Sequence, residues 1–225
     1  MLRDQQLHLI YSLAGRVAHP RAPQCETRIG GFGGIDGLIH YLRDHRIDAL
    51  IDATHPFAAQ ISRNAVEASR QSGAPLIAFT RPPWALVPGD RWSMVADMAA
   101  AADLVAQRGG RVLLSIGRQE VATFAGCKDA DFVIRSIEPP DGPLPPRCEL
   151  LLARGPFCVE DELELFGRRR IDLLVTKNSG GSATYAKIEA ARRLKIEVIM
   201  VERPIVSGQQ AIYKVEEVLK WLVAL

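Results

Sequence analysis

The feature that most constrains this chain is the alternation of short, wholly apolar runs with longer segments of helical period. Strands buried on both faces read as continuous apolar runs, as in parallel sheets that are covered by helices. Between them, apolar residues recur at i, i+3, i+4 and i+7, as in 35–42, 58–68, 98–105 and 215–222. The apolar runs are residues 7–11, 49–51, 76–79, 112–116, 132–134, 150–153, 173–175 and 198–201. This order predicts βαβ units in a doubly wound α/β fold.

An internal repeat divides the chain into two similar halves. The run RIDALI at 46–51 resembles RIDLLV at 170–175, and each leads into a polar loop, a helix and an apolar strand that ends in Arg-Pro. The spacing from the aspartate to that arginine is 33 residues in one half and 31 in the other. We therefore predict two Rossmann-like parallel-sheet domains, 1–96 and 97–225, with a cleft between them.

Composition excludes several classes of protein. The chain has 225 residues and a net charge of +2, without the strongly basic balance of nucleic-acid binders. No apolar run approaches the ~20 residues that span a bilayer, and the N-terminus lacks a signal peptide's apolar stretch. Neither C-x-x-C nor H-x-x-x-H occurs, so no metal is expected. We expect a soluble cytoplasmic protein.

Two loops that follow predicted strands have the composition of anion-binding turns. They are DATHPF at 52–57 and TKNSGGSAT at 176–184. Both lead into predicted helices, whose free N–H groups and dipole attract anions. In the second loop, Gly180 and Gly181 allow the backbone to approach a ligand closely, and Lys177 adds positive charge. An ordinary capped turn would give a similar sequence.

Arginines follow many of the predicted strands. In a parallel sheet they would gather on one rim, where they would repel one another without anionic partners. Because guanidinium pairs bidentately with carboxylates and phosphates, the rim suits a ligand that carries several such groups. Any single arginine could instead pair with a nearby acid. The arginines are Arg16, Arg81, Arg118, Arg135, Arg154 and Arg203.

Two further segments point to a nucleotide cofactor. A hydroxyl and an arginine beyond the second strand of a Rossmann unit can hold the 2′-phosphate of NADPH, and Ser12 and Arg16 fit this role. The glycine run 30–34 does not match G-x-G-x-x-G and predicts a close approach to a ligand or a neighbouring strand. No nucleophile signature occurs, which favours binding of an anionic ligand and a cofactor over covalent catalysis.

Seven sequence blocks together resemble the precorrin-6A reductases of corrin-ring (vitamin B12) biosynthesis. The most specific are D-A-T-H-P-F at 52–57 and T-K-N-S-G-G at 176–181. The similarity runs from about residue 7 to the C-terminus. The other blocks are SLAGR at 12–16, GGFGG at 30–34, RPPW at 81–84, IGRQE at 116–120 and ARGPF at 153–157.

The resemblance implies an NADPH-dependent oxidoreductase acting on a CH–CH group. Such an enzyme reduces one double bond of precorrin-6A, or of its cobalt-containing form, to give precorrin-6B. The implied fold has two Rossmann-like domains with cofactor and substrate in the cleft, in agreement with the repeat. The implied partner is a small polycarboxylate tetrapyrrole, which agrees with the arginine rim, and neither nucleic acid nor membrane. We expect a monomer or a small homo-oligomer.

The start of the chain departs from the family pattern. Family members usually begin with a strand, a Gly-Gly-Thr loop and a helix, upstream of the segment that matches residues 7–16. This chain starts too late to contain them. We therefore expect an N-terminally truncated first domain and weakened cofactor binding.

The resemblance assigns roles residue by residue. For the cofactor we expect Ser12, Arg16, Gly31, Thr54 and His55. The proton that reduction requires could come from His55, Lys177, Tyr185 or water. The residues expected to bind the substrate are Arg81, Arg118, Arg154, Thr176, Lys177, Asn178, Ser179, Gly180, Gly181 and Arg203.

Two other functions remain open at this stage. The same arginine rim could serve a non-catalytic protein that binds and carries tetrapyrroles. Two Rossmann-like halves would also suit an enzyme that processes nucleotides or sugar phosphates.

Overall fold

A computed structural model describes residues 7–15 and 24–225. Its strands and helices alternate along most of the chain, as the sequence predicts. The strands of the described part are β1 Ile10–Leu13, β2 Glu26–Ile29, β3 Leu50–Asp52, β4 Leu76–Phe79, β5 Trp92–Val95, β6 Gly110–Ser115, β7 Ala130–Ser136, β8 Cys148–Leu152, β9 Leu173–Lys177, β10 Glu197–Val201 and β11 Gln210–Ile212. The helices are α1 Gly34–Asp44, α2 Ala59–Ser72, α3 Met98–Arg108, α4 Val159–Arg169, α5 Ala186–Arg193 and α6 Val215–Val223, with a 3₁₀ helix at Arg118–Phe124.

These strands form three sheets in which every pairing is parallel. The largest has the order β5-β10-β9-β6-β7-β8, and the second has the order β11-β4-β3. β1 and β2 form a separate pair. The α/β class with parallel sheets is therefore confirmed. The sequence did not predict β2, since its alternating polar residues lack the wholly apolar pattern.

The central strands of the six-stranded sheet are buried on both faces, whereas Leu150 and Leu152 of β8, at one edge, are 40% and 54% exposed. Val112 and Leu114 of β6 pack in the core on one side, with Phe124 of the 3₁₀ helix. Leu113, between them, packs on the other side with Phe166 of α4. Successive side chains of a strand point to opposite faces, so a strand covered on both sides must be apolar throughout. The continuous apolar runs are explained in this way.

The predicted apolar faces of the helices are not all buried. Leu38, Ile39 and Leu42 of α1 are buried as predicted. In the last predicted stripe only Val218 is buried, and Val215 is 54% exposed. None of the helices in the described residues is long and apolar enough to cross a membrane.

The internal repeat is visible in the backbone itself. Arg46 and Arg170, at the same repeat position, both adopt positive φ angles, 49° and 51°. The next residue in each half donates its N–H to a carbonyl five residues back, Ile47 to Leu42 and Ile171 to Phe166. This is the hydrogen bond of a Schellman-type helix end. The shared motif thus ends α1 and α4 in the same geometry before the following strand.

The two halves exchange their last strands. β5, from the first half, pairs with β10, and β11, from the second half, pairs with β4. The exchange is symmetrical: Thr80 donates its N–H to Ile212 O, and Glu202 donates to Val95 O. The predicted boundary at residue 96 therefore does not follow the sheets. A chain segment that leaves an Arg-Pro turn can pair with either sheet edge, and the sequence of the segment does not decide which.

Candidate active site

Three loops at the carboxyl ends of strands lie close together, two from the three-stranded sheet and one from the six-stranded sheet. They follow β3, β4 and β9. Asn178, after β9, accepts the Trp84 N–H through Oδ1 at 2.7 Å and donates from Nδ2 to Trp84 O at 3.1 Å. The Trp84 indole donates to Gly181 O at 2.8 Å. The RPPW and TKNSGG blocks, far apart in sequence, are therefore joined directly.

The loop after β3 is fixed by a buried aspartate. Asp52 is 8% exposed, and its Oδ1 accepts the N–H of Thr54 at 3.0 Å and the Thr54 hydroxyl at 2.6 Å. This is an Asx-type turn, in which a side chain takes over a backbone hydrogen bond. Thr54, predicted to contact the cofactor, has its hydroxyl engaged in this turn. Its structural role is to present the next residue, His55.

His55 is held as a neutral ring in a positive field. Its Nδ1 accepts the N–H of Phe57 at 3.2 Å, which places the ring proton on Nε2. Desolvation by neighbouring atoms, followed by the charges of Arg81, Lys177, Arg203 and Lys187, lowers the pKa of His55 to about 4. Four cationic side chains therefore lie near enough to this loop to act on its histidine.

Lys177 lies beside the His55 loop. Its Nζ stands 5.2 Å from the centre of the Phe57 ring and forms an ion pair with Glu120 Oε2 at 2.5 Å. The side chain is 12% exposed. The two loops predicted to bind a ligand therefore lie together, as expected for loops that follow the carboxyl ends of parallel strands.

Arg81 contributes a further cation to this site. It is half-buried, and within the described residues its guanidinium has neither an acidic partner nor a hydrogen-bond acceptor. Burial lowers its pKa. Its stem lies across Gly181, where an added Cβ would come within 2.6 Å of Arg81 Cδ. An unpaired, partly desolvated guanidinium is suited to bind an anion.

The glycines of the second loop have a different role from the predicted one. A Cβ on Gly180 would clash with the carbonyl oxygen of Pro82, and both Gly180 and Gly181 have positive φ angles. Close packing of the Arg81–Pro82 turn, rather than of a ligand, thus accounts for both glycines.

Arg203 also acts within the protein. Its guanidinium donates to three carbonyls, those of Asn178 at 2.8 Å, Arg81 at 2.7 Å and Ser179 at 3.0 Å. It ties the two Arg-Pro turns and the loop after β9 into one unit. Its donors are directed to the backbone rather than to the cleft.

The predicted arginine rim is therefore only partly available to a ligand. Arg118 pairs with Glu138 at 3.1 Å. Arg135 is buried and pairs with Glu162. Arg154 is exposed and has no ion pair within residues 7–15 and 24–225. Glu138 and Glu162 thus neutralise two arginines of the rim, and each lies far from its arginine in sequence.

Two other predicted residues are also engaged internally. Thr176 is fully buried, and its hydroxyl donates to backbone carbonyls of Ser115 and Lys177. The Tyr185 hydroxyl accepts a hydrogen bond from Arg192 at 2.7 Å. Thr176 is buried at the edge of the sheet, and Tyr185 is bonded to a residue of α5. Both are therefore less suited to contact a ligand.

The predicted nucleotide segment lies at the edge formed by β1 and β2. Ser12 is exposed, and its Oγ accepts a 3.2 Å hydrogen bond from Arg28 Nη1. Arg28 also donates to Gly31 O at 2.7 Å and stacks over the Phe32 ring at 3.9 Å. Arg16 lies outside the described residues.

Sequence reasoning missed Arg28, Lys187 and Ser115. Lys187 is 4% exposed and donates a 3.0 Å hydrogen bond to Ser115 Oγ. One signal was present: Lys187 shares a helix face with Ala190 and Ala191, both fully buried. A lysine within a stripe of small buried residues indicates an amine drawn into the core. Among the described residues, no three His, Cys, Asp or Glu side chains are grouped as metal ligands.

The comparisons agree with one another. The family model described as "Precorrin-6x reductase CbiJ/CobK" matches residues 1–223. A precorrin-6A reductase of Rhodococcus erythropolis is 54% identical over 195 residues, covering 87% of this chain and 79% of the relative. One from Sinorhizobium sp is 52% identical over 204 residues, covering 90% and 78%.

A solved structure is similar over nearly the whole chain. The structure named CobK precorrin-6A reductase has a TM-score of 0.90 and 44% identity, and the match covers 96% of this chain and 86% of that one. The family match begins at residue 1, so the expected truncation of the first domain is not confirmed.

Proposed function

Because this chain belongs to the precorrin-6x reductase family CbiJ/CobK, we propose that it reduces one double bond of the precorrin-6A macrocycle with NADPH. It is an oxidoreductase of cobalamin biosynthesis that acts on a CH–CH group. Its substrate class is the tetrapyrrole, and reductases of this kind take hydride from a nicotinamide cofactor.

The N-terminal residues fit a dinucleotide. The backbone of Gly30, Gly31, Gly33 and Gly34 is open, since a Cβ on any of them would meet nothing within 4 Å. The N-terminus of α1 has no side-chain cap, which leaves its N–H groups available to a phosphate. Ser12, Gly31 and Arg16 would hold the phosphate-bearing half, and Thr54 and His55 would border the nicotinamide. The cofactor supplies the hydride.

The substrate assignment rests on one observation above all: Arg81 is half-buried beside His55 and has no acidic partner among the described residues. Precorrin-6A carries several acetate and propionate groups, and a carboxylate would complete the hydrogen bonds that Arg81 lacks. Arg154 would bind a further carboxylate, and Lys177 would do so in exchange for Glu120. Asn178, Gly180, Gly181 and Arg203 position this loop, and Ser179 lies within it.

Removal of the Arg81 charge tests the substrate site. Arg81→Ala should lower kcat/KM for precorrin-6A about 10- to 100-fold, since a charge-assisted hydrogen bond contributes about 1.5–3 kcal/mol. The readout is formation of a product two hydrogens heavier, by mass spectrometry. Arg63→Ala, which removes an exposed arginine of α2, is the control. Equal rates for the two variants would exclude Arg81 from the substrate site, and no turnover by the unaltered chain would refute the function.

Cofactor choice is tested separately. Arg16→Ala should raise KM for NADPH much more than KM for NADH, because only NADPH carries the 2′-phosphate. Steady-state rates with each cofactor measure this difference. Equal effects on both would remove the 2′-phosphate assignment of Arg16.

A further inference from the structure

A buried group of charged side chains lies under the candidate active site. Arg135 comes from β7, Glu162 from α4 and Lys187 from α5, and they are 6%, 1% and 4% exposed. Charged side chains are almost never buried this deeply unless they are paired, because desolvation is costly. The partners of each one therefore indicate its role.

Arg135 and Glu162 form an ion pair that leaves Glu162 Oε2 without a hydrogen-bond partner, and among the described residues Lys187 has no ion-pair partner. Arg135 Nη1 lies 2.6 Å from Glu162 Oε1, and the guanidinium stacks over the Phe157 ring at 4.2 Å. In the described part of the chain no carboxylate forms an ion pair with Lys187, whose Nζ donates to Ser115 Oγ at 3.0 Å. Protonated Lys187 therefore adds one uncompensated positive charge.

The contacts of Ser115 leave its own hydrogen available. Its Oγ accepts from Lys187 at 3.0 Å and, more weakly, from Arg135 Nη2 at 3.5 Å. An oxygen that receives two N–H donors directs its own O–H elsewhere. Within the described residues that O–H has no hydrogen-bond acceptor. Ser115 is half-buried at the carboxyl end of β6, where it pairs with Thr176 of β9, the residue before Lys177.

The surroundings of Lys187 favour loss of its proton near neutrality. Burial and, next, the charge of Arg135 lower its pKa to about 7, and the charge of Glu162 opposes this shift. The Trp84 ring lies 5.6 Å from Nζ. Lys187 in turn lowers the pKa of His55, so the two groups interact across the loop after β3. An acid works best when its pKa is near the working pH.

The other candidate donors are less well placed. His55 is neutral at pH 7 and is scarcely ever a cation there. Lys177 is held by Glu120, and the Tyr185 hydroxyl is bonded by Arg192. Within the described residues, neither the Lys187 amine nor the Ser115 hydroxyl is hydrogen-bonded to a carboxylate.

We propose that the Ser115 hydroxyl delivers the proton of the reduction and that Lys187, acting through Ser115, replaces it. This inference rests on the proposed function. One carbon of the double bond receives the hydride that the cofactor supplies. The other carbon forms a C–H bond as the Ser115 O–H bond breaks, and the Ser115 oxygen takes a proton from Lys187 Nζ. Lys187 is left as a neutral amine and is protonated again from solvent.

The pH profile of kcat tests this role. In the unaltered enzyme kcat should fall as pH rises above neutrality, because Lys187 loses its proton. Lys187→Met should lower kcat about 100-fold, the scale of general acid catalysis, with little change in KM, and should abolish that pH limb. Ser115→Ala should do the same, while Ser115→Thr, which keeps a hydroxyl, should retain most of the rate. Lys220→Met, on the exposed side of α6, is the control.

A second readout does not require turnover. In protein with ¹³C-labelled lysine, one resonance absent from Lys187→Met should titrate near pH 7 without cofactor or substrate. A Lys187 resonance that titrates only near its ordinary pKa would overturn the proposal.

The outcomes separate this proposal from the function it rests on. An active enzyme whose Lys187→Met and Ser115→Ala variants keep kcat and its pH limb would overturn the proton role alone. If Lys187→Met fails to fold, Ser115→Ala, which removes one hydroxyl, decides by itself. An unaltered chain that reduces no precorrin-6A would overturn both.

Discussion

At the residue scale, the partner of each cation determines its role. Arg81 and Arg203 occupy equivalent repeat positions, yet Arg203 binds three carbonyls and Arg81 binds none. The carbonyl of Arg81 is itself one of the acceptors of Arg203. Of these two repeated arginines, Arg203 stabilises the loop, and Arg81 is left available to bind a ligand.

The pKa of His55 responds to its desolvation first and then to the positive charges around it. We expect the His55 resonance in an NMR titration to have its midpoint near pH 4, and Arg81→Ala to raise it. Because the unfolded chain binds a proton at about pH 6.5 and the folded chain does not until about pH 4, stability is lost as pH falls through this window.

His55→Gln provides the matched comparison. Its free energy of unfolding, from urea denaturation, should depend less on pH between about 4 and 6.5 than that of the unaltered chain. A His55 midpoint near 6.5 would contradict the positive field.

At the element scale, α1 begins with a close backbone approach. Gly37, in its first turns, lies against the preceding loop, where an added Cβ would clash with the carbonyl oxygen of Phe32. Phe32 in turn packs edge-on against Tyr41 of the same helix. Gly37 therefore allows the glycine run at 30–34 to lie close against the start of α1.

Gly37→Ala should destabilise the protein although alanine favours helices. Helix propensity alone would stabilise by about 1 kcal/mol, but displacement of the Phe32 backbone should give a net loss of about 1–3 kcal/mol. Gly167→Ala in α4, where a Cβ meets nothing within 4 Å, should instead stabilise slightly. Urea denaturation of both variants measures the difference, and a stabilised Gly37→Ala would show that the approach is not tight.

At the scale of the whole molecule, the exchanged strands make the two larger sheets interdependent. Ile212 of β11 is 6% exposed and packs with Ile77 of β4 and Val218 of α6. A C-terminal segment thus completes the N-terminal sheet, and the candidate active site lies where both sheets meet. We expect a single cooperative unfolding transition.

Ile212→Ala should therefore loosen the first sheet. Loss of this buried side chain should cost about 2–4 kcal/mol and speed hydrogen exchange of the Thr80 amide, which donates to Ile212 O. Amides of β6 and β9 should keep their relative protection. Ile205→Ala, at a residue that is 88% exposed, should change neither quantity. Unchanged exchange at Thr80 would contradict the dependence of β4 on β11.

Much of the fold could be predicted because local patterns determine local structure. Apolar runs predicted five of the six strands of the largest sheet, and the RID repeat predicted two similar halves, whose repeated Arg46 and Arg170 share one backbone conformation. The same reasoning located the His55 and Lys177 loops, because parallel strands bring their carboxyl ends to one edge. It could not separate Arg81 from Arg118 or Arg135, whose acidic partners lie on other elements.

The sequence by itself determined the α/β class, the repeat, the family and the loops that carry the site. Each of these depends on residues close together in the chain or on blocks of fixed order. Only the tertiary structure decided which sheet receives β5 and β11, which glycines face the protein and which cations stay unpaired. It also buried Lys187 against Ser115. These features depend on contacts between residues far apart in sequence. Their free energy is determined by how deeply each group is buried and by which group it contacts.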